Sequence, residues 1–355
     1  MKVLFDHQIF SYVYGGASKY FTMLLKYLPR ECWDTTTLLT SNEYVRAEKL
    51  MPFTLKKYFR GQTVLQEYLN RPYSNFMIYK KCYDIFHQTN FGTYCLDKIG
   101  SKPMVTTYHD ANLSTIDPHP ELVERQRVSL ERADSVIVVS ENTKKDLLQL
   151  FKVDEAKVSV IYHGIEIPDL SKLNHERIVE RPYILYVGRR TFYKNFDNFV
   201  KACSLVISKF PDIQIVCTSS CFSNKEYSKF KSLGIEDNMK AICCDEADMV
   251  RLYRDAIAFV FPSFYEGFGM PILESWSCNC PVVLSTASCF PEIAADAGLY
   301  FAADSVDEMF SQIMKVIEDD ALKETLRQRG TERLKKFSWE RCANEHLKVY
   351  QSLAD

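Results

Sequence analysis

Short unbroken apolar runs alternate with helix-like segments along the whole chain, and the alternation runs through twice. Strands that read as continuous apolar runs, rather than in alternating apolar and polar positions, are buried on both faces. Residues 3–5, 35–39, 83–87, 104–108, 135–140 and 158–161 are the expected strands of the first series. Helices are expected over 17–28, stopped by Pro29, and over 121–133 and 142–151. A second series starts at 183–187 and continues with strands at 213–218, 239–243, 258–261 and 281–284. Its helices are expected at 195–210, 245–254 and 271–278, followed by a helical tail from Val306 that breaks near Phe337. Two such series predict an α/β chain of two doubly wound domains with parallel sheets. The polar stretch from Ile167 to Pro182, with two prolines, is the expected linker. The domains are therefore placed at 1–166 and 183–336, with 167–182 between them and 337–355 as a closing segment.

A length of 355 residues fits two domains. The apolar share of 46% and charged share of 25% are those of an ordinary globular protein, which excludes disorder as the main state. Lys and Arg (44) nearly balance Asp and Glu (46), for a net charge of −2, so a general nucleic-acid coat is excluded. The opening apolar run, Val3-Leu4-Phe5, is too short for a signal peptide, and no uncharged stretch is long enough to span a bilayer. A cytoplasmic location is expected, with the 12 cysteines reduced. Cys243-Cys244 and Cys278-Asn279-Cys280 have poor zinc spacing, so the thiols are read as packing residues and no metal site is expected.

Ligands of such sheets bind beyond the carboxyl ends of strands, so the loops carry the functional reading. No Gly-Lys pair and no G-x-G-x-x-G occur, which weakens an NTPase and a dinucleotide-dependent dehydrogenase. Gly15-Gly16 follows the first strand and opens a helix, where bare backbone amides could meet an anion; a tight turn is the other reading. Gly188, Arg189 and Lys194 follow the first strand of the second series, and two cations at a strand end suit a diphosphate as well as they suit a solvated loop. The richest segment is 263–274. Pro271 suits a first helical turn, so the backbone of Gly267, Phe268, Gly269 and Met270 would point free N–H groups at an anion. Glu266 precedes that turn and Glu274 lies within the helix, and carboxylates accept the paired hydroxyls of sugars and ribose. His109-Asp110 ends another strand; its imidazole is either structural or a partner for a substrate hydroxyl, titrating near neutral pH.

Together these motifs resemble the retaining GT-B glycosyltransferases of family 4. The likeness spans essentially the whole chain and is strongest from Tyr183 to Tyr300. It rests on the acids Glu266 and Glu274 within E-G-F-G-M-P-I-L-E and on Val187, Gly188, Arg189, Lys194 and Asn195 as V-G-R-x4-K-N. Gly15-Gly16, His109-Asp110 and Phe337-Ser338-Trp339 agree in order. The chain departs from the family in having His163-Gly164 where Asn-Gly is frequent, Asn279 where glycine is usual and Ala295-Asp296 where Gly-Asp is frequent.

The resemblance implies two Rossmann-like domains facing across a cleft, the C-terminal helix crossing back to the first. It implies that Arg189 and Lys194 hold the donor diphosphate, Glu274 the ribose and Glu266 the donor sugar, with the amides of Phe268, Gly269 and Met270 lining the same site. Gly16 would approach the phosphates and His109 the transferred sugar. The implied reaction is metal-independent hexosyl transfer with retention, from a GDP- or UDP-linked sugar (mannose is favoured) to a glycan or lipid-linked glycan in surface polysaccharide biosynthesis, with no further cofactor. A non-catalytic sugar-nucleotide-binding module, an epimerase and a phosphorylase are the alternatives. Residues 46–81 mix cations with Tyr58, Phe59, Tyr68, Tyr73, Phe76 and Tyr79, and suggest either contact with an anionic membrane or an ordinary solvated helix pair.

Overall fold

The computed structural model describes residues 1–56, 59–112, 119–172, 174 and 176–354. The chain forms two compact units, Met1–Gly164 together with Ser338–Asp355, and Ile165–Phe337. Tyr58, one of the aromatics noted in the sequence, lies outside the described residues.

The first unit is built on a parallel sheet whose strands are β1 (Val3–Phe5), β2 (Trp33–Thr35), β3 (Ile85–Gln88), β4 (Met104–Tyr108), β5 (Ser135–Val138) and β6 (Val158–Val160). Their order is β2-β1-β3-β4-β5-β6. The second unit has β7 (Tyr183–Tyr186), β8 (Gln214–Thr218), β9 (Met239–Ile242), β10 (Ala258–Phe261), β11 (Val282–Ser285) and β12 (Leu299–Phe301), all parallel, in the order β12-β11-β10-β7-β8-β9. The central strands are buried along their whole length, which is why they read as unbroken apolar runs. In each sheet the chain reverses its direction of growth once, between β1 and β3 in the first and between β7 and β10 in the second. These are the points at which neighbouring strand-end loops diverge and leave a crevice.

Helices between strands start where a side chain can satisfy the first free amides. Ser140 accepts from the Thr143 amide, and Ser223 and Glu226 form a reciprocal capping box. Asp319 accepts from the Leu322 amide and divides the C-terminal helical tail a second time, besides the break near Phe337. The strand expected at 35–39 lies instead at Trp33–Thr35. The amides of Leu38 and Leu39 are taken by the Asn70 side chain, at 2.9 and 2.8 Å, so the apolar run past Thr37 has no need of the sheet.

The last helix, Trp339–Ala354, packs into the first unit against the helix Gly16–Tyr27. Tyr20 Oη and His346 Nε2 share a hydrogen bond of 2.6 Å, and His87 Nδ1 and Tyr350 Oη one of 2.7 Å. Trp339 stacks on His163, with ring centroids 6.1 Å apart. Gly164 explains the close approach: a Cβ there would lie 2.2 Å from the Trp339 amide nitrogen and 2.4 Å from the Ser338 carbonyl carbon. The residue after His163 must be bare because the returning chain lies on it.

Candidate functional site

In the second unit, register pairing sets Phe259 of β10 beside Leu185 of β7, so the loops after these strands leave the sheet together. The first of them begins at Gly188, whose φ of 111° explains the glycine; a Cβ would find open space around it. Its amide donates to Thr218 Oγ1 at 3.3 Å. Tyr186 Oη braces the loop by donating to the carbonyls of Arg189 (3.3 Å) and Lys194 (3.4 Å). Asn195, in the left-handed conformation, ends it and ties it to β10 through the Pro262 carbonyl at 3.0 Å.

The two arginines of this loop have different tasks. Arg190 is nearly buried, bonded to Glu226 and to the carbonyls of Ser220 and Cys221, with its guanidinium over the Phe222 ring. Arg189 is exposed and has no ion-pair partner among the described residues. Lys194 lies over the rings of Phe261 and Tyr193 and donates to Glu266 Oε1 at 2.5 Å. The two side chains of this pair are only 15% and 14% exposed.

Ser263 Oγ donates to the same Oε1 at 2.7 Å, which leaves Oε2 without a hydrogen-bond partner among the described residues. The backbone of Glu266 is held as firmly: its carbonyl accepts from Ser288 Oγ and from Cys289 Sγ. Gly269, at φ 89°, turns the chain into the helix Met270–Ser277, with Pro271 in the first turn. The side chain of Phe268 is buried against Phe337, so this residue has only backbone to offer a ligand. Glu274 lies further along the helix, where Tyr253 Oη donates to its Oε2 at 3.4 Å. Burial, and then the Glu274 charge, hold the Tyr253 phenol protonated well above its ordinary range. Gly188, Arg189, Lys194, Glu266 and Gly269 thus gather at the β7–β10 divergence, and Glu274 stands apart in the helix that starts there.

The first unit carries the other sequence-predicted residues. Gly15 and Gly16 begin the helix Gly16–Tyr27, and a Cβ on Gly16 would meet nothing within 4 Å. The protein's own packing therefore does not require that position to be bare. His109, just past β4, packs edge-on against Tyr20 and Phe21 of that helix, with centroids 5.0 and 5.8 Å away. Its Nε2 is buried with no hydrogen-bond partner among the described residues. The expectation that His109 titrates near neutrality is corrected: burial lowers its pKa to about 4, so the ring is neutral at pH 7.

The sequence reading missed a cavity of about 500 Å³ at the other divergence, between β1 and β3. Gln8 and Tyr12 after β1, Asn90 and Gly92 after β3, Glu67 and Arg125 are among its lining residues. Glu67 is held from below by His7 Nε2 at 3.1 Å and alongside by Arg71 at 2.8 Å. The loops after β1 and β3 are visible in the sequence, but that these two strands are neighbours is not. No cluster of three or more potential metal ligands occurs among the described residues.

Residues 14–169 match the model of Glycosyltransferase Family 4, and residues 171–333 match that of Glycosyl transferases group 1. The chain belongs to glycosyltransferase family 4. Among its relatives is the O-antigen chain mannosyltransferase B of Escherichia coli, 28% identical over 292 residues that make up 76% of this chain and 74% of that protein. The O-antigen chain mannosyltransferase RfbU of Salmonella typhimurium is 29% identical over 54% of this chain and 53% of that one. The GT-B fold of this glycosyltransferase is shared with Anabaena Alr3699/HepE, solved in complex with UDP and glucose, at a TM-score of 0.79 and 18% identity over 99% of this chain and 100% of that one. The sucrose-phosphate synthase of Thermosynechococcus elongatus superimposes with a TM-score of 0.76, at 18% identity over 99% of both chains. No helix among the described residues is long and apolar enough to cross a membrane.

Proposed function

We propose that this glycosyltransferase moves a hexose, mannose in the favoured reading, from a GDP- or UDP-linked sugar to a glycan or lipid-linked glycan acceptor during surface polysaccharide assembly in the cytoplasm. Transfer proceeds with retention of anomeric configuration and needs neither a metal nor a further cofactor. The observation that carries this reading is the arrangement at the β7–β10 divergence. A half-buried Lys194–Glu266 pair, and an Arg189 with no ion-pair partner among the described residues, stand beside the helix start at Gly269. The O-antigen mannosyltransferases among the relatives support the choice of sugar and pathway class.

In this mechanism the bond from the anomeric carbon to the diphosphate breaks as the acceptor oxygen bonds to that carbon from the same face. The acceptor's proton passes to the departing phosphate oxygen, and the products are the glycoside and a nucleoside diphosphate. Negative charge grows on the leaving group, and Arg189, Lys194 and the amides of Phe268, Gly269 and Met270 stabilise it in this reading. Glu266 Oε2 accepts from a hydroxyl of the donor sugar, with Oε1 fixed by Lys194 and Ser263. Glu274 takes the ribose hydroxyls. Gly16 and His109, which the family resemblance assigns to the phosphates and to the transferred sugar, lie in the first unit, where His109 is neutral.

A panel of nucleotide sugars tests the reading. The donor raises the melting temperature, and incubation with acceptor extract and EDTA yields glycoside and nucleoside diphosphate. Loss of one preorganised donor costs roughly 2.7–4 kcal/mol of barrier, so Lys194→Ala is expected to lower kcat/KM by about 10²- to 10³-fold. Turnover abolished by EDTA and restored by manganese, or transfer unaltered in both Lys194→Ala and Glu266→Ala, overturns the assignment.

A further inference from the structure

The helix Gln62–Lys80 is inside out. Its buried residues are Gln66, Asn70, Ser74 and Ile78, a single i, i+4 face that is polar but for the last. Gln66 exchanges hydrogen bonds with Ser41, Asn70 binds the backbone of Leu38 and Leu39 on both sides, and Ser74 bonds Tyr94 Oη at 2.8 Å. The helix is thus anchored by side-chain hydrogen bonds. The opposite face is apolar and exposed, while Leu69, Tyr73 and Met77 are half-buried on the anchored side. Val64, Tyr68, Pro72 and Tyr79 follow helical spacing along one stripe, flanked by Leu65 and Phe76. Val64, Tyr68 and Tyr79 are 74%, 75% and 84% exposed, and Phe59 and Phe53 are exposed in the segment leading into the helix. A folded protein seldom leaves so contiguous an apolar surface in water without a use for it.

The charge around this stripe is one-sided. The carboxylates of residues 43–81 are engaged: Glu43 by Arg46, Glu48 by Lys26, and Glu67 by His7 and Arg71. Lys49, Lys56, Arg60, Lys80 and Lys81 are exposed with no carboxylate partner among the described residues. Lys80 lies over the Phe76 ring at 4.6 Å, a cation lying along an aromatic surface. Aromatic rings that settle at a polar–apolar boundary, with Arg60 at one end of the helix and Lys80 and Lys81 at the other, match a surface that is apolar within and negatively charged at its edge.

We propose that the outer face of helix Gln62–Lys80 is a docking surface for an anionic lipid bilayer. The helix lies along the headgroup plane with its apolar stripe inserted and the unpaired cations on lipid phosphates. Thr63 and Glu67 of the same helix line the β1–β3 cavity. The docking itself rests on the helix and not on the donor site, so it can be tested without any sugar nucleotide.

The test is co-sedimentation of the full chain with vesicles of phosphatidylcholine alone, or with phosphatidylglycerol added, at low and high salt. The wild type is expected to pellet with the anionic vesicles and to be released by salt. Tyr68→Ser/Phe76→Ser/Tyr79→Ser is expected to reduce binding by about tenfold or more at an unchanged melting temperature, because all three side chains are exposed. Lys49→Gln/Arg60→Gln/Lys80→Gln/Lys81→Gln should lose its preference for the anionic vesicles. A wild type that stays in the supernatant with anionic vesicles at low salt overturns the proposal, as does a triple-serine variant that binds undiminished. Dimerisation of the wild type without vesicle binding, abolished in the triple-serine variant, also overturns it and assigns the face to a second copy of this chain. Nucleotide-sugar binding by the triple-serine variant, followed as a melting shift, reports the donor site separately.

Discussion

At the residue scale, the second unit shows what a family position does when its usual residue is replaced. Ala295 stands where the family often has glycine, and it keeps a glycine-like backbone, φ 47° and ψ −117°. Its carbonyl accepts from Tyr300 Oη at 2.7 Å and its amide donates to the Pro291 carbonyl, so the surroundings hold it in that conformation. A methyl group there costs about 1–3 kcal/mol of strain, against which glycine loses about 0.4–1 kcal/mol through a freer unfolded chain. Ala295→Gly is therefore expected to stabilise the protein by about 1 kcal/mol, read as a higher denaturant midpoint at an unchanged m-value. A midpoint that falls would show that the strain is already relieved. Asn279, the other departure, adopts φ 59°, a conformation asparagine tolerates at little cost. Gly164 is the opposite case, since its hydrogen cannot be replaced without moving the backbone of Ser338 and Trp339. Gly164→Ala is expected to lower stability by about 1–3 kcal/mol, measured by urea unfolding.

At the level of elements, the returning helix is attached through buried, neutral histidines. Burial pushes the pKa of His109 and His346 down to about 4, and that of His87 and His163 well below the ordinary 6.5. Neighbouring imidazoles push His87 and His163 in the same direction. The unfolded chain binds protons at these sites as pH falls below about 6.5, whereas in the folded chain His109 and His346 do not until about pH 4 and His87 and His163 resist protonation in the same direction. Stability is therefore fully present above pH 6.5 and declines as pH falls towards 4. Urea midpoints taken across this window should drop steadily, with amide exchange of the helix Trp339–Ala354 rising first. A midpoint that is flat between these limits would contradict the neutral-histidine account. Tyr20→Phe removes the 2.6 Å bond to His346 and is expected to cost about 0.5–1.5 kcal/mol.

For the whole molecule, the arrangement that matters is that the first unit is made from two stretches of chain distant in sequence. Trp339, His346 and Tyr350 are buried within it, so the unit is incomplete without them. A chain ending at Phe337 should lose amide protection throughout 1–164 while peptides from 165–337 keep theirs, as read by hydrogen-exchange mass spectrometry. Equal loss in both units would mean that they do not fold separately. The Lys194–Glu266 pair belongs to the second unit alone, so Glu266 should remain ordered in such a chain.

The fold class was legible in the chain because many short unbroken apolar runs, each followed by a helix-like segment, fit strands covered on both faces. The sequence by itself also determined the chemical character of the second-unit site, since Gly188, Arg189, Lys194, Glu266 and Gly269 lie in two short loops whose residue types suit an anion and hydroxyls. The tertiary structure decided which strands are neighbours, and so which loops meet. That decision brought Lys194 onto Glu266 from 72 residues away and opened the cavity between β1 and β3. It decided that Arg190 is tied down while Arg189 has no ion-pair partner among the described residues, a difference set by the side chains of Glu226 and Phe222 and not by anything within the loop. It turned His109 from a titrating group into a neutral one, because burial is a property of what packs around a residue. It likewise turned a basic, aromatic stretch into a helix whose polar side faces inward, because only contact with Ser41, Leu39 and Tyr94 tells Gln66, Asn70 and Ser74 which way is in.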